Sequence, residues 1–466
     1  MNILSRFHPR YPKVLAYMLQ ASEYSLRDFV AWVQRVQDFS DVEKRKKFIP
    51  TAKSIAVLIL LWLVAVLWCL VWWLAHPLLL PLGIFSVPFV LPYLILPPLA
   101  VLHYIQKPTE AFIVAKATEK LARISATKIA IAGSYGKTSF KENLQTILSA
   151  GGEKVKATPG NWNTPLGIAR FVRTLAGDEK VLVFEMGEYY PGDIRTLSKM
   201  IRPDIGVITG VNEAHLEKFG NVENAAKTIF EIAEFVAPEK LYVNGENILA
   251  TKYATKENVL YGREGAGSWK VLDAKTNIEG TSFTLVGEDM HTEVTSKLLG
   301  LHQVGPLVAA SVIASTLGLT EKEIVAGIAN TSPFAHRLAP RKEAEGVIFI
   351  DDTYNANPDG IEVGLAVLAS VEAKRRIYVT PGLVETGGKT QSLHQEIGKK
   401  IAQVADVVIL IKNSTTPYIA EGLAETKFKG SVLSADTVER AFLMLKSMEL
   451  PGDVILMQND WTDNYA

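Results

Sequence analysis

No Asp, Glu, Lys or Arg occurs between Ser54 and Gln106. A water-soluble domain has no ordinary place for a charge-free stretch of that length, so a bilayer is its natural solvent. His76-Pro77 divides it into two apolar segments, about 54–75 and 78–105, each near the roughly 20 residues that a helix needs to span a membrane. Trp62, Trp68, Trp72 and Trp73, and the length of chain preceding the stretch, argue against a signal peptide or a buried soluble helix pair.

Lys44, Arg45, Lys46 and Lys47 precede the first segment, and Lys107, Lys116, Lys120 and Arg123 follow the second. The positive-inside rule then puts both flanks in the cytoplasm. Pro81, Pro88, Pro92, Pro97 and Pro98 would kink the second segment, which is therefore either a full span or a re-entrant element. The expectation is a transmembrane helical hairpin over 51–106, with membrane lipid as a partner and the rest of the chain on the cytoplasmic face of the cell membrane. Residues 1–50 read as a cytoplasmic amphipathic helical segment, with Val14, Leu15, Met18 and Leu19, then Phe29, Val30, Trp32 and Val33, at helical spacing.

At 466 residues the chain exceeds what one hydrophobic core usually serves. Its 49 basic and 49 acidic residues cancel, which leaves no electrostatic footprint for a nucleic acid. The single cysteine, Cys69, lies inside the apolar stretch and excludes a disulfide framework or a cysteine-ligated metal within one chain.

Beyond Lys107 short β-branched runs alternate with helical stretches: Lys128 to Ala132, Lys180 to Glu185, Ile205 to Thr209 and Leu241 to Val243. A second set, Val347 to Ile350, Arg376 to Thr380, Val407 to Ile411 and Val454 to Met457, lies beyond Pro333. The expected class is α/β: a P-loop-type, mostly parallel sheet over 107–333, then a Rossmann-like α/β domain over 334–466.

The run ending at Ala132 leads into Gly133-Ser134-Tyr135-Gly136-Lys137-Thr138-Ser139 and then a helical stretch from Phe140 to Ser149. Strand, glycine loop, Lys-Thr and helix is the order of a phosphate cradle. Glycines let backbone N–H groups approach phosphate oxygens, Lys137 can neutralise the β and γ phosphates, and the Thr138 hydroxyl can ligate Mg2+. Glu185 ends a buried strand, where open α/β sheets gather ligands. Asp351 and Asp352 likewise end a strand before an Asn-rich turn.

These segments, in this order, resemble the Mur ligase family, specifically its D-alanyl-D-alanine-adding (MurF-type) members. The likeness covers roughly Lys128 to Met457. It rests on the short Gly-x-x-Gly-Lys-Thr loop, Gly160-Asn161-Trp162-Asn163, Glu185-Met186-Gly187, Asn212-Glu213-Ala214-His215, and Asp351-Asp352-Thr353-Tyr354-Asn355-Ala356-Asn357-Pro358. The resemblance implies ATP and Mg2+, with two ions bound through Thr138, Glu185, His215 and Lys227, the last carbamylated. It also implies catalytic roles for Lys137, Arg337, His215 and Lys227. Nucleotide contacts would come from Gly133, Ser134, Gly136, Lys137, Thr138, Ser139, Asn161, His302, Arg337, Asp352 and Asn355.

The implied reaction is ATP-dependent amide-bond formation through an acyl phosphate. D-alanyl-D-alanine would join the peptide of a wall precursor, either soluble or lipid-linked. Gly382-Leu383-Val384-Glu385-Thr386-Gly387 with His394 matches a further family loop. Gln303 and Pro306 depart from two family asparagines, and Gln458-Asn459-Asp460 stands where the family carries Lys-Gly-Ser. The resemblance implies that the hairpin takes the place of the family's nucleotide-sugar domain. The alternatives are a Mur-like ligase for another polymer, such as poly-γ-glutamate, or a nucleotide-binding membrane scaffold that has lost catalysis.

Overall fold

The computed structural model describes residues 3–22, 24–40, 42, 48–160, 162–212, 219–287, 290–343, 346–354, 357–383 and 389–459. The chain divides into two compact units, one running to Ala111 and the other beginning at Phe112.

The first unit is helical. α1 (Tyr11–Ala21) and α2 (Leu26–Arg35) precede α3 (Ala52–Ala75), α4 (Leu80–Leu94) and α5 (Leu96–Arg123), whose residues from Phe112 onward belong to the second unit. Thr51 and Ser54 cap the start of α3 reciprocally, which satisfies N–H groups that have no acceptor within the helix. Leu15, Met18 and Phe29 pack with Leu61, Leu91 and Ile95 in a core of their own. Much of the apolar surface remains outside that core: Trp62, Leu63, Val66, Leu74, Phe85 and Tyr104 are exposed. α3, and the stretch from Pro77 to Arg123, are each long and apolar enough to cross a membrane. The second apolar segment is broken into two helices at Ile95, just before Pro97 and Pro98, which donate no N–H to the helix, whereas Pro88 and Pro92 lie inside α4 and Pro108 inside α5. α5 continues past the charge-free stretch through Lys107 to Arg123, because charge changes a helix's solvent and not its backbone.

The second unit is α/β and holds two sheets. The first contains β1 (Thr127–Ala132), β2 (Val155–Ala157), β3 (Val181–Glu185), β4 (Ile205–Ile208), β5 (Leu241–Asn244), β6 (Val259–Gly262), β7 (Gly265–Ala266), β8 (Trp269–Asn277), β9 (Gly280–Val286) and β10 (His291–Ser296). Their spatial order is β10-β9-β8-β7-β6-β5-β4-β1-β3-β2. Pairing is parallel from β2 to β6 and antiparallel from β6 to β10.

Side chains alternate across this sheet. Ile129, Ile131 and Val183 face a core with Phe140, Leu307 and Val308, whereas Ala130, Leu182 and Phe184 face one with Ile168, Leu197 and Ile201. Both faces are covered, which explains why β1 and β3 read as unbroken apolar runs.

The second sheet contains β11 (Ala339–Lys342), β12 (Ile348–Asp352), β13 (Arg375–Thr380), β14 (Val407–Ile411), β15 (Ser431–Ala435) and β16 (Asp453–Gln458), in the order β11-β12-β16-β13-β14-β15. β11 is antiparallel to β12 and the other pairs are parallel. The register sets Ile131 beside Glu185 in the first sheet and Asp352 beside Gln458 in the second. The acidic residues are therefore carried to the carboxyl ends of the strands, where helix starts and loops gather.

Candidate active site

The chain leaves β1 on one side for β2 and β3 and on the other for β4 to β6, so a crevice opens where β1 ends. Gly133 begins the loop there with φ +142, and a Cβ on it would meet Thr209 Oγ1 at 2.2 Å. Gly136, with φ +74, ends the loop as the N-cap of α6 (Lys137–Ser149). No L side chain is at ease at either position. Lys137, Thr138 and Ser139 form the first turn of α6, whose N–H groups have no acceptor within the helix and suit an anion.

Backbone bonds fix this loop on β4's exit. Ser134 N–H donates to Gly210 O at 2.9 Å, and the Thr209 hydroxyl donates to Tyr135 O.

Two charge pairs line the crevice. Lys137 Nζ donates to both carboxylate oxygens of Glu188, at 3.0 and 2.8 Å, and to Gly133 O. Lys141, one turn further along α6 and fully buried, donates to Glu185 Oε2 at 3.1 Å and to Gly160 O at 3.0 Å. The Thr138 hydroxyl donates to the same Glu185 oxygen at 3.0 Å, and Asn163 Nδ2 donates to Oε1 at 3.2 Å. The Glu185 carboxylate is thus fixed by three side chains, two from α6 and one from the loop at Asn163, and its backbone N–H is held by Thr158 Oγ1.

The second sheet supplies the opposite wall. Arg337 lies between His336 (φ +64) and Leu338 (φ +43), a strained backbone that the Leu338 N–H to Asp352 Oδ1 bond (3.2 Å) helps to hold. Its guanidinium sits over the Tyr354 ring at 4.3 Å. Burial lowers the basicity of Arg337, while the charges of Asp352, Tyr354 and Glu185 act the other way. Arg337 therefore senses both the first sheet's Glu185 and its own Asp352.

Burial pushes the Asp352 carboxyl up to about 6, against the opposing effects of Gln458, Arg337 and Leu338. Gln458, wholly buried, donates to Asp352 Oδ2 and Gly360 O, each at 2.7 Å, and accepts from the Tyr378 hydroxyl at 2.7 Å. A direct bond also joins the walls: Asn212 Nδ2 donates to Asp359 Oδ2 at 3.1 Å. Burial and then Asp359 push the Tyr135 hydroxyl up to about 12.

Gly133, Ser134, Gly136, Lys137, Thr138, Ser139 and Glu185 thus meet in one cradle, and Arg337 and Asp352 face it electrostatically. His302 bonds its neighbour in sequence, its Nε2 accepting from the Gln303 side-chain amide at 2.9 Å, with burial and then Arg263 pushing it to about 4. Gly300 makes room for that ring, since a Cβ there would lie 2.5 Å from His302 Nδ1. Lys227 is exposed in the last turn of its helix, Val222–Ile229. Asn161, His215, Asn355 and Glu385, like Lys44, Arg45, Lys46 and Lys47, lie outside the described residues. Glu188, Lys141 and Asp359 belong to no motif in the sequence, and Tyr135 is an unspecified position within the glycine loop. Lys141 carries a faint signal, falling one helical turn after Lys137.

Thr138 and Glu185 offer a hydroxyl and a carboxylate to the same point, hard oxygen donors suited to Mg2+. Among the described residues no three His, Cys, Asp or Glu side chains cluster. An ion here would complete its shell with phosphate and water oxygens, the usual habit of Mg2+ at nucleotide sites.

Comparison with known proteins places this geometry. Residues 131–314 match the Mur ligase middle domain, and 336–458 match the Mur ligase, glutamate ligase domain. The chain is 30% identical over 358 residues to the UDP-N-acetylmuramoyl-tripeptide--D-alanyl-D-alanine ligase of Mycobacterium bovis, covering 71% of this chain and 70% of that one. The Escherichia coli protein of the same name is 30% identical over 319 residues, covering 65% and 68%. Among solved structures, the MurF ligase of Thermotoga maritima in complex with ADP superposes with a TM-score of 0.67 at 27% identity, covering 75% of this chain and 80% of that one.

Proposed function

The chain belongs to the Mur ligase family as an ATP-dependent, MurF-type ligase, and we propose that it joins D-alanyl-D-alanine, or a related amine, to the peptide of a peptidoglycan precursor at the membrane. The observation that carries this reading is the convergence of Lys137, the Thr138–Glu185 pair and Arg337 on one crevice between two sheets.

The chemistry follows from that convergence. A peptide carboxylate attacks the γ-phosphorus of ATP, giving an acyl phosphate and ADP. The amine then attacks the acyl carbon, a C–N bond forms, the C–O bond to phosphate breaks, and the amine gives up a proton. Such catalysis is mostly positioning and electrostatics. Lys137 and the α6 N–H groups neutralise the phosphates, and Arg337 approaches the transferring group from the other wall. Mg2+, held by Thr138 and Glu185, would draw charge from the β and γ oxygens. By family analogy His215 and a carbamylated Lys227 would hold a second ion, and the exposure of Lys227 leaves its amine open to CO2.

Residues 107–333 and 334–466 act in this account as ATP-binding and ligase domains that close on the nucleotide. Asn161, His302, Asp352 and Asn355 would complete its pocket. The exposed apolar helices α3 to α5 support a hairpin in the cell membrane, with catalysis on the cytoplasmic side. A membrane-held enzyme suits either a soluble precursor or a lipid-linked one. Mass spectrometry of products from the purified protein, ATP, D-alanyl-D-alanine, and each precursor in turn separates these. A tripeptide precursor gaining the dipeptide supports the proposal, and no amide product with any acceptor would refute it.

A further inference from the structure

Lys137 and Lys141 lie one turn apart on α6, and Glu185 and Glu188 lie three residues apart where the chain leaves β3. Each lysine takes one of these glutamates: Lys141 bonds Glu185 at 3.1 Å, with Glu142 a second ion-pair partner at 3.4 Å, and Lys137 bonds Glu188 at 2.8 Å. All four groups are shielded, with side-chain exposures of 0% and 4% in the first pair and 13% and 2% in the second. The cradle is therefore already neutralised by its own residues.

Glu185 has a use in the reading above, as a cation ligand, but Glu188 has none. A phosphate that approaches Lys137 must also approach the Glu188 carboxylate, and like charges repel strongly when both are shielded from water. A divalent cation at Thr138 and Glu185 reverses that balance by adding positive charge between the carboxylates and the phosphates. Nucleotide and cation then fit the cradle together far better than either does alone.

Resting on the assignment of this crevice to ATP, we propose that Glu188 is a further binding-site residue that makes nucleotide binding conditional on the divalent cation. It occupies Lys137 until a Mg2+–nucleotide complex arrives, and it rejects uncomplexed nucleotide. The function is discrimination: an ATP bound without its cation would block the crevice unproductively.

The test is equilibrium binding of a fluorescent ATP analogue with a non-hydrolysable β–γ bridge to the full chain in detergent, with excess Mg2+ or with EDTA. In the native protein EDTA weakens binding sharply. Glu188→Gln raises the affinity in EDTA by roughly tenfold or more while changing the Mg2+ value much less, so the ratio of the two collapses. Glu188→Ala gives the same answer should the glutamine variant not fold. Glu188→Asp keeps the charge and keeps the ratio. A ratio unchanged in the neutral variants, or one that falls equally in Glu188→Asp, overturns the proposal while leaving the ATP site standing. A native protein that binds no analogue even with Mg2+ overturns the ATP site, and this proposal with it.

Discussion

The guanidinium carbon of Arg337 lies 4.3 Å over the centre of the Tyr354 ring. The ring face supports the cation, whose charge acts on Asp352 and on Glu185. The stacking predicts that Tyr354→Ala lowers kcat/KM for ATP by about 1 to 2 kcal/mol, roughly tenfold. Arg337→Lys, which keeps the charge but loses the flat fork, should lower it on the order of a hundredfold. Steady-state kinetics of both variants check the order of severity.

Asp352 gives a prediction in pH. Its folded carboxyl titrates at about 6 against an ordinary 3.8, so the folded chain takes up this proton first as pH falls. Its contribution to stability is therefore fullest below 3.8 and is lost as pH rises through 6, a swing on the order of 3 kcal/mol. Asp352→Asn, which cannot ionise, should compare more favourably with the native protein at pH 8 than at pH 4 by about that amount in denaturant unfolding. Gln458→Leu removes the largest influence that favours the ionised form. It should move the titration to still higher pH.

Lys141 is buried with its ammonium on Glu185 and Gly160 O. Lys141→Met leaves the Glu185 carboxylate without that partner and should cost about 3 to 5 kcal/mol of stability. Glu185→Met added to it should recover much of the loss, because the pair is removed together. A double-mutant cycle by denaturant unfolding measures the coupling.

The strands that flank the crevice, β1, β3, β4 and β12, were legible because both their faces are buried and their residues read as continuous apolar runs ending in glycine or acid. The antiparallel extension from β6 to β10 was not. β8 exposes five of its nine residues and carries Lys270, Asp273 and Lys275, so its composition is that of a solvated loop. The phosphate loop was legible from order alone. Glu188 was not, because a buried carboxylate is recognisable only from its partner, and Lys137 lies 51 positions away in sequence. The same holds for Gln458, whose three bonds reach β12, β13 and the helix Pro358–Ser370.

The exposed apolar faces of α3 and α4 predict that the chain stays in the membrane pellet after alkaline carbonate extraction. Protease added from the cytoplasmic side should reach the unit beginning at Phe112. Release into the carbonate supernatant would count against the hairpin.

The central claim is that one crevice couples ATP to amide formation, and phosphate release by the purified full chain tests it most directly. The account predicts release only when ATP, Mg2+, a tripeptide precursor and D-alanyl-D-alanine are all present, and its loss in Lys137→Ala with membrane attachment intact. Release that ignores the precursor and the amine, or that survives Lys137→Ala, would contradict it.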